Sequence, residues 1–547
     1  MNNDLLARLR DTDTSAEIAK FDRQVDLTLL SEWQQSDVKF VSTGAHMERK
    51  FYQAVSELFS CIKPTFGDKN ILNEGGVYLG CWIESTGTIN TELMSRFMPD
   101  VAQSTYEILA EHQFEDGLFP YKITADGPAY FQIQIVTPLA RCVWNQYFLN
   151  GKDKKFLRKM YDAMVRYDDW LAKYRDTRGT GGVEAFCCHD TGHDMSARFW
   201  HVPDAPHNND PRTFDPDNPI LPFVAPDLTA NVACQRSYLA HMAEELGEDS
   251  EDWHAKTRQS LDALFTYCWN DEDGIFYDYD KHNRHVKVQS DVLLRVLACE
   301  VGDDDFFAKA LDRYLLNTAK FFARYPFTSI AMDDPRFDQD FSINSWCGPT
   351  NALSIIRAPH AFEAHHRHVE LTFAMHPILY ALFRNEEFSQ CLNPYTGQQG
   401  FTKIYAPMIL CLLDFVERLC GVLPRPNGTL WFTGLVPYNV EQKQERFETA
   451  YSRTVDGHVF ELVNSSEKST AFRDGELLFS APKGIRVVTD RRGEILSIIG
   501  MTVQTVEGVL KTANGQRPFI INPNQQLDWV NGVWVNVRDI GYVAISS

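Results

Sequence analysis

The chain has 547 residues, 44% of them hydrophobic and 23% charged, which is enough to fill a sizeable core and too long for one ordinary compact domain. Its 53 Lys and Arg against 74 Asp and Glu give a formal net charge of -21; such a surface repels phosphate backbones, so nucleic acid is excluded as a partner. No apolar run approaches the roughly 20 residues that span a bilayer, which excludes the membrane as well.

Met1 to Lys20 is charged and helix-like, without the apolar stretch of a secretory signal. The 12 cysteines are scattered, several of them (Cys142, Cys299, Cys411) inside apolar helical stretches. Cys187-Cys188 has no second pair at zinc-finger spacing, so the expectation is buried free thiols and a cytoplasmic protein.

From residue 45 to 421 the apolar spacing is helical. Phe156, Met160, Met164, Tyr167, Leu171 and Tyr174 mark one face of a helix, and Val232, Leu239, Met242 and Leu246 mark another that Gly247 closes. Trp253 to Trp269, Ser290 to Val301, Asp304 to Tyr325, Val369 to Phe383 and Tyr405 to Leu419 read the same way. The Pro-rich stretch His201 to Pro226 is too long for a connector and reads as a lid or a cleft wall. Successive helix pairs without a heptad suggest an α/α toroid. After Gly421 the pattern changes to short β-branched runs: Val459 to Val463, Gly484 to Thr489 and Ile495 to Val503. Val530-Asn531-Gly532-Val533 reads as a tight hairpin. The expected organisation is a mainly α domain over residues 1–421 followed by a small antiparallel β-domain over 422–547.

The segment His189 to Trp200 concentrates the chemistry. Asp190 and Asp194 flank a glycine turn, followed by Ser196, Arg198, Phe199 and Trp200, a mixture that suits a sugar pocket. Either aspartate alone also reads as a solvated turn or a helix cap.

The run Phe156 to Tyr161, then Trp170, Arg175-Asp176 and Asp190-Thr191-Gly192-His193-Asp194-Met195-Ser196-Ala197-Arg198, resembles glycoside hydrolase family 63 and its trehalase relatives. Pro226-Asp227-Leu228, the Trp269 to Asp278 turn, Trp346-Cys347-Gly348-Pro349 and Asn393-Pro394-Tyr395-Thr396-Gly397 resemble further family loops in the same order. The likeness covers roughly residues 70 to 420. It implies an (α/α)6 barrel and an inverting hydrolase of α-glycosidic bonds, α-glucosidase- or α-mannosidase-like, with Asp194 as general acid and no cofactor. The family's general base is a glutamate three residues before the Asn-Pro-x-Thr-Gly asparagine; here that position is Gln390, which keeps the shape but cannot take a proton. Three readings stay open: an introduced change of a catalytic glutamate to Gln390, a shifted base at Glu386, Glu387 or Glu84, or an inactive sugar-binding relative.

The same resemblance puts Trp82 and Glu84 in an early loop facing the sugar, with Glu84 hydrogen-bonding hydroxyls. It puts Tyr130, Gln132, Gln134 and Arg141 in a segment of which one residue contacts sugar. Trp82, Trp200 and Trp346 are the expected stacking surfaces, and Arg198 orients the acid or a hydroxyl. No metal is expected: in the cluster His360, His365, His366 and His368, the neighbours His365 and His366 cannot share a helix face and no HExxH or carboxylate at ligand spacing accompanies them, and Asp271 to Asp280 lacks EF-hand spacing. The expected partner is a small carbohydrate, and a homo-oligomer is allowed. The rival readings are a sugar epimerase or polysaccharide lyase relying on His193, His360 or His366, and a non-catalytic carbohydrate-binding protein.

Overall fold

The computed structural model describes residues 2–22, 24–442 and 445–547. Its helices pair into an inner and an outer ring. Thr91–Met94 pairs with Pro99–Glu111, Leu139–Leu149 with Lys154–Tyr174, and Pro226–Leu246 with Glu251–Ala263. Val292–Leu297 is followed by Asp304–Ala310, and Ala358–Ala364 pairs with His368–Arg384. Ala406–Cys420 takes its outer partner, Ala45–Ser60, from the start of the chain. Neighbouring inner segments touch in turn, the short helix Ala352–Ile355 before Ala358–Ala364 making the contact to Ala406–Cys420, which closes an (α/α)6 barrel.

The sequence accounts for the two rings. Ala406–Cys420 is buried at every position: most of it is apolar, and its charged Asp414, Glu417 and Arg418 are buried in pairs with Arg96, Arg453 and Glu363. Lys154–Tyr174 buries Phe156, Met160, Met164, Tyr167 and Leu171 and turns Lys155, Asp162, Arg166, Asp169 and Lys173 to solvent. The Asp153 side chain caps it by accepting from the Lys155 N–H. Gly247, at φ +79°, ends Pro226–Leu246 where a left-handed residue is needed.

Two helices are shorter than their patterns. The Asp304 run stops at Leu315 after a wide turn, and Phe321 and Tyr325, which mimic its apolar stripe, are buried from irregular chain instead. The Trp253 helix opens into a wide turn at Leu264–Cys268, and Trp269 enters a strand. His201 to Pro226 is irregular apart from a short turn at His207–Asn209 and the strand Phe223–Val224.

Two antiparallel sheets follow the barrel. One has six strands, in the order Val422–Pro424, Thr429–Thr433, Ile485–Asp490, Ile495–Gly500, Gln526–Val530, Val533–Arg538. The other has seven, and its edge strand is Lys39–Ser42, paired with Thr449–Val455. A division at residue 421 gives that edge strand to the helical part; the sheet takes it back. The inner faces meet at Phe432, 6.0 Å from Phe460 and 5.5 Å from Phe479 between ring centroids. The hairpin turns on Asn531 and Gly532, both at positive φ. Met1 lies outside the described residues, and the N-terminal reading continues as the helix Asn2–Asp11.

Candidate active site

The loop from Cys187 to Trp200 separates its two aspartates. Asp190 is fully buried: Arg175 Nη1 donates to its Oδ2 at 2.6 Å, and the N–H groups of Phe186 and Ile133 donate to its two oxygens at 2.8 and 3.1 Å. It anchors the loop and ties it to the Gln132–Gln134 segment. Asp194 keeps about a third of its side chain open to solvent. Asn344 Nδ2 donates to its Oδ2 at 3.2 Å, and His189 Nε2 lies 3.4 Å from its Oδ1. Desolvation raises the Asp194 pKa, with His189 and Arg295 pulling the other way. That favours the protonated form a general acid needs.

Gly192 lets Glu84 approach this loop. It sits at φ +64°, and a Cβ there would lie 2.1 Å from the Glu84 carboxyl. Glu84 is 7% exposed, has an Oε1 without a hydrogen-bond partner, and lies 3.9 Å from Arg295. Burial pushes its pKa up to about 8 against the pull of Arg295 and Arg357. Arg295 donates to the Thr191 carbonyl at 2.7 Å and stands 4.8 Å over the Trp346 ring. Its Nε and Nη2, with side-chain atoms of Gln235, Asn231 and Arg357, are buried without partners. Unpaired polar groups of this kind are costly in a dry core and suit a site that holds water or sugar hydroxyls.

His193 and Arg198 form the floor. Arg198 donates to Asp227 and Asp278 in paired fashion at 2.8–3.0 Å and to His193 Nδ1 at 2.7 Å. These contacts use all five of its N–H groups. Arg198 is therefore a structural clamp rather than a sugar contact. His193 Nε2 lies 3.0 Å from Asp291, and burial and Arg295 pull its pKa down to about 3, so it is neutral.

Gln390 is 3% exposed, its backbone held by Phe401 and Ala352, and its Oε1 accepts from Tyr78 Oη at 2.9 Å. Burial, with the charges of Glu74 and Asp194, holds the Tyr78 phenol well above its ordinary pKa and keeps it a donor. Tyr78 stands edge-on to Trp82 at 5.6 Å, and Tyr405 beside it donates to the fully buried Glu74 at 2.6 Å.

Several sequence candidates lie elsewhere. Glu387 sits with Lys50 and lines a cavity of about 570 Å³ with Ser60, Val77 and Thr402, outside the Asp194 cluster. Tyr130 gives its hydroxyl to the His112 carbonyl at 2.7 Å, at the end of an outer helix. Arg141 is buried against Glu92 and the Ala298 carbonyl. Trp346 is 1% exposed and packs 4.5 Å from His193, so it stacks on protein, whereas Trp200 is 59% exposed. Gln132 is half-buried and takes a 3.4 Å hydrogen bond from Gln134. Asp291, Arg295, Arg357 and Asn344 were not singled out. Charged Asp291 immediately before the apolar run Val292–Leu297, and Arg295 inside it, were the available signal.

Three histidines of the cluster have separate surroundings: His360 meets Glu92, His365 meets backbone carbonyls and Phe307, and His368 meets Arg486. Cys188, His189 and Asp204 do bring three metal-type donor atoms within 4.8 Å of one another. The Cys188 thiol donates to Asp204 at 3.3 Å, and burial with that carboxylate raises its pKa, so a cation would have to displace the proton. Among the described residues no helix is long and apolar enough to cross a membrane.

A partly open aspartate, a buried carboxyl beside it and several unpaired buried polar groups thus come together in one cluster. A sequence model for the mannosylglycerate hydrolase MGH1-like glycoside hydrolase domain matches residues 80–406. The chain therefore belongs to this family of glycoside hydrolases, and its substrate is a carbohydrate. No curated protein sequence matches it. Among solved structures it is similar to the family 63 mannosylglycerate hydrolase of Thermus thermophilus in complex with Tris, with 16% identity, 67% of this chain and 99% of that one covered, and a TM-score of 0.57. A protein described as a sialidase matches at 14% identity over 87% of this chain and 44% of its own, with a TM-score of 0.61. The family 78 rhamnosidase of Bacillus sp. GL1 matches at 11% identity over 80% and 40%, with a TM-score of 0.52.

Proposed function

We propose that this chain is an inverting hydrolase of small α-glycosides in which Asp194 protonates the leaving oxygen. The observation that carries this is the contrast within one loop. Asp190 is locked to Arg175, whereas Asp194 is partly open with a raised pKa. Position 390 is proposed to hold the attacking water, with the Gln390 carbonyl oriented by Tyr78. An inverting pair stands about 6.5–9.5 Å apart to admit that water. A glutamine cannot take its proton, so Glu84, with an unpartnered oxygen, is the carboxylate proposed to receive it. The reading assigns catalysis to residues 1–421 and a cytoplasmic location, the latter because all twelve cysteines are buried and free.

Against a carbon-acid mechanism stands the setting of His193. It is fully buried, with Nδ1 accepting from Arg198 and Nε2 facing Asp291, which leaves no nitrogen for a substrate proton. The test is a proton NMR time course on a glycoside panel that includes mannosylglycerate, with Asp194→Asn, Gln390→Glu and Glu84→Gln alongside. Slow turnover by the wild type, faster turnover by Gln390→Glu, none by Asp194→Asn and an inverted first anomer are expected. A retained first anomer, or normal rates from Asp194→Asn, overturns the assignment. Binding without hydrolysis by both wild type and Gln390→Glu would identify a sugar-binding relative.

A further inference from the structure

The inner helices carry the candidate active site at their N-terminal ends; a second concavity lies at their C-terminal ends, against the first sheet. It encloses about 430 Å³, within the range of small-molecule sites, and its walls come from Leu139–Leu149, Pro226–Leu246 and the Pro424 to Trp431 hairpin. A neighbouring hollow of about 300 Å³ shares Glu300, His360 and Arg425 with it, so the two form one elongated recess.

The lining has a recognisable chemistry. Trp144, Tyr238 and Trp431 are half-buried in its walls. Trp144 is braced by Phe148 at 4.5 Å, and the guanidinium groups of Arg425 and Arg486 each lie 4.2 Å from the Trp431 ring, so Trp144 and Tyr238 offer the open aromatic surface. Between them stand groups of both signs whose hydrogen-bonding capacity is only partly used. Arg141 is 1% exposed, and its Nε is buried without a hydrogen-bond partner. Arg425 gives Nη1 to Glu363 at 2.8 Å, and Glu300 takes the Tyr238 hydroxyl at 3.0 Å. Glu92 is already engaged by His360 at 3.0 Å.

A purely anionic ligand would need guanidinium groups without carboxylates beside them, and an apolar ligand would leave Arg141 unpaired. Flat rings flanked by paired donors and acceptors fit a polyhydroxylated ring, whose apolar face stacks while its hydroxyls both give and accept hydrogen bonds. We propose that this recess is a second, non-catalytic saccharide site that takes one or two neutral sugar rings. It is independent of the Asp194 assignment, because no residue of its lining belongs to the catalytic cluster.

The test is calorimetric titration of the full chain, in the Asp194→Asn background so that no probe is consumed, with glucose, mannose, maltose, trehalose and glucose 6-phosphate. Trp144→Ala and Arg425→Gln, on opposite walls, are compared with the parent, and thermal melts verify that both variants fold. Expected is binding of at least one neutral probe that weakens about tenfold or more in each variant, the loss of one stacking or bidentate contact. Hydrolysis by the same variants with Asp194 intact should stay unchanged. Neutral-sugar binding that both variants leave intact, no binding of any neutral probe, or binding of glucose 6-phosphate alone would each overturn the proposal.

Discussion

Replacing Arg198 by Met separates a clamp from a sugar contact. The guanidinium is 2% exposed and joins Asp227 and Asp278, both fully or almost fully buried. Methionine keeps much of the length, leaves Asp278 without its cation and leaves Asp227 with only Arg295, 3.6 Å away. Breaking a buried pair in this way costs about 3–5 kcal/mol. With an unfolding entropy of about 2.1 cal/mol/K per residue, 547 residues acting as one unit give about 1.1 kcal/mol/K, so Tm should fall by about 3–4 °C. The pH dependence has a definite sign. Burial raises both carboxyls, and in the wild type Arg198 reverses this at Asp227. Without it, both folded-state values rise: Asp278, already raised, moves further above its unfolded value, and Asp227 keeps only the pull of Arg295 and His193. A raised carboxyl contributes fully below the unfolded pKa and loses that contribution as pH rises, so the deficit should be largest near pH 8 and shrink toward pH 5. Calorimetric melts at three pH values, with KM on an active glycoside, provide the assay. An unchanged Tm with a raised KM would refute the clamp and restore Arg198 as a substrate contact.

The remaining predictions concern the acid loop. Gly192→Ala must place a methyl 2.1 Å from the Glu84 carboxyl at a positive φ, so kcat should drop at least tenfold, with a loss of about 1–2 kcal/mol from the backbone alone; rate and melt measurements check both. Removing His189, whose charge lowers the Asp194 pKa, should move the alkaline limb of the pH–rate profile to higher pH, and Asn344→Ala, which removes a hydrogen bond to the carboxylate, should do the same. Glu84→Gln removes the proposed proton acceptor and should lower kcat/KM about a hundredfold or more, with no titration near pH 8 left in the residual profile, read across pH 6 to 10. Asp190→Asn should lower Tm while leaving the pH profile of the folded enzyme in place, because its partners are Arg175 and backbone N–H groups.

The helices were legible wherever one face carried the burial. Lys154–Tyr174 and Pro226–Leu246 follow from apolar spacing plus a cap, whereas Asp304 to Tyr325 was overextended because buried loop aromatics continue a helical spacing by accident. Lys39–Ser42 gave no local signal, since its partner strand begins at Thr449. The acid loop was legible as a motif, but the motif does not say which neighbour each charge meets. Arg198 looked like a sugar contact beside Trp200, and only folding brings Asp227 and Asp278 to it, 29 and 80 residues further along. Trp346 failed for the same reason: an aromatic in a glycine-rich loop reads as a platform until His193 and Arg295 are found packed on it.

The direction of the inner helices explains why acids can be buried at one end of the barrel. Asp227 lies in the first turn of Pro226–Leu246, Asp291 is the residue preceding Val292–Leu297, and Asn351 caps Ala352–Ile355 through its side chain. Unsatisfied N–H groups and the positive ends of the helix dipoles converge there, which offsets part of the desolvation cost of carboxylates. The other end carries the opposite bias, and Arg418 stands in the last turn of Ala406–Cys420. Asp227 and Asp291 accordingly sit below the ordinary carboxylate range, although burial alone would raise them, because arginine or histidine partners join that favourable end. Asp194 and Glu84 lie on loops and gain less from the helix ends, and both are raised. The barrel thus separates these carboxyls by position: Asp227 and Asp291 at helix starts are held as anions, whereas burial raises the pKa of Asp194 and Glu84 on the loops and brings them nearer to exchanging protons around neutral pH.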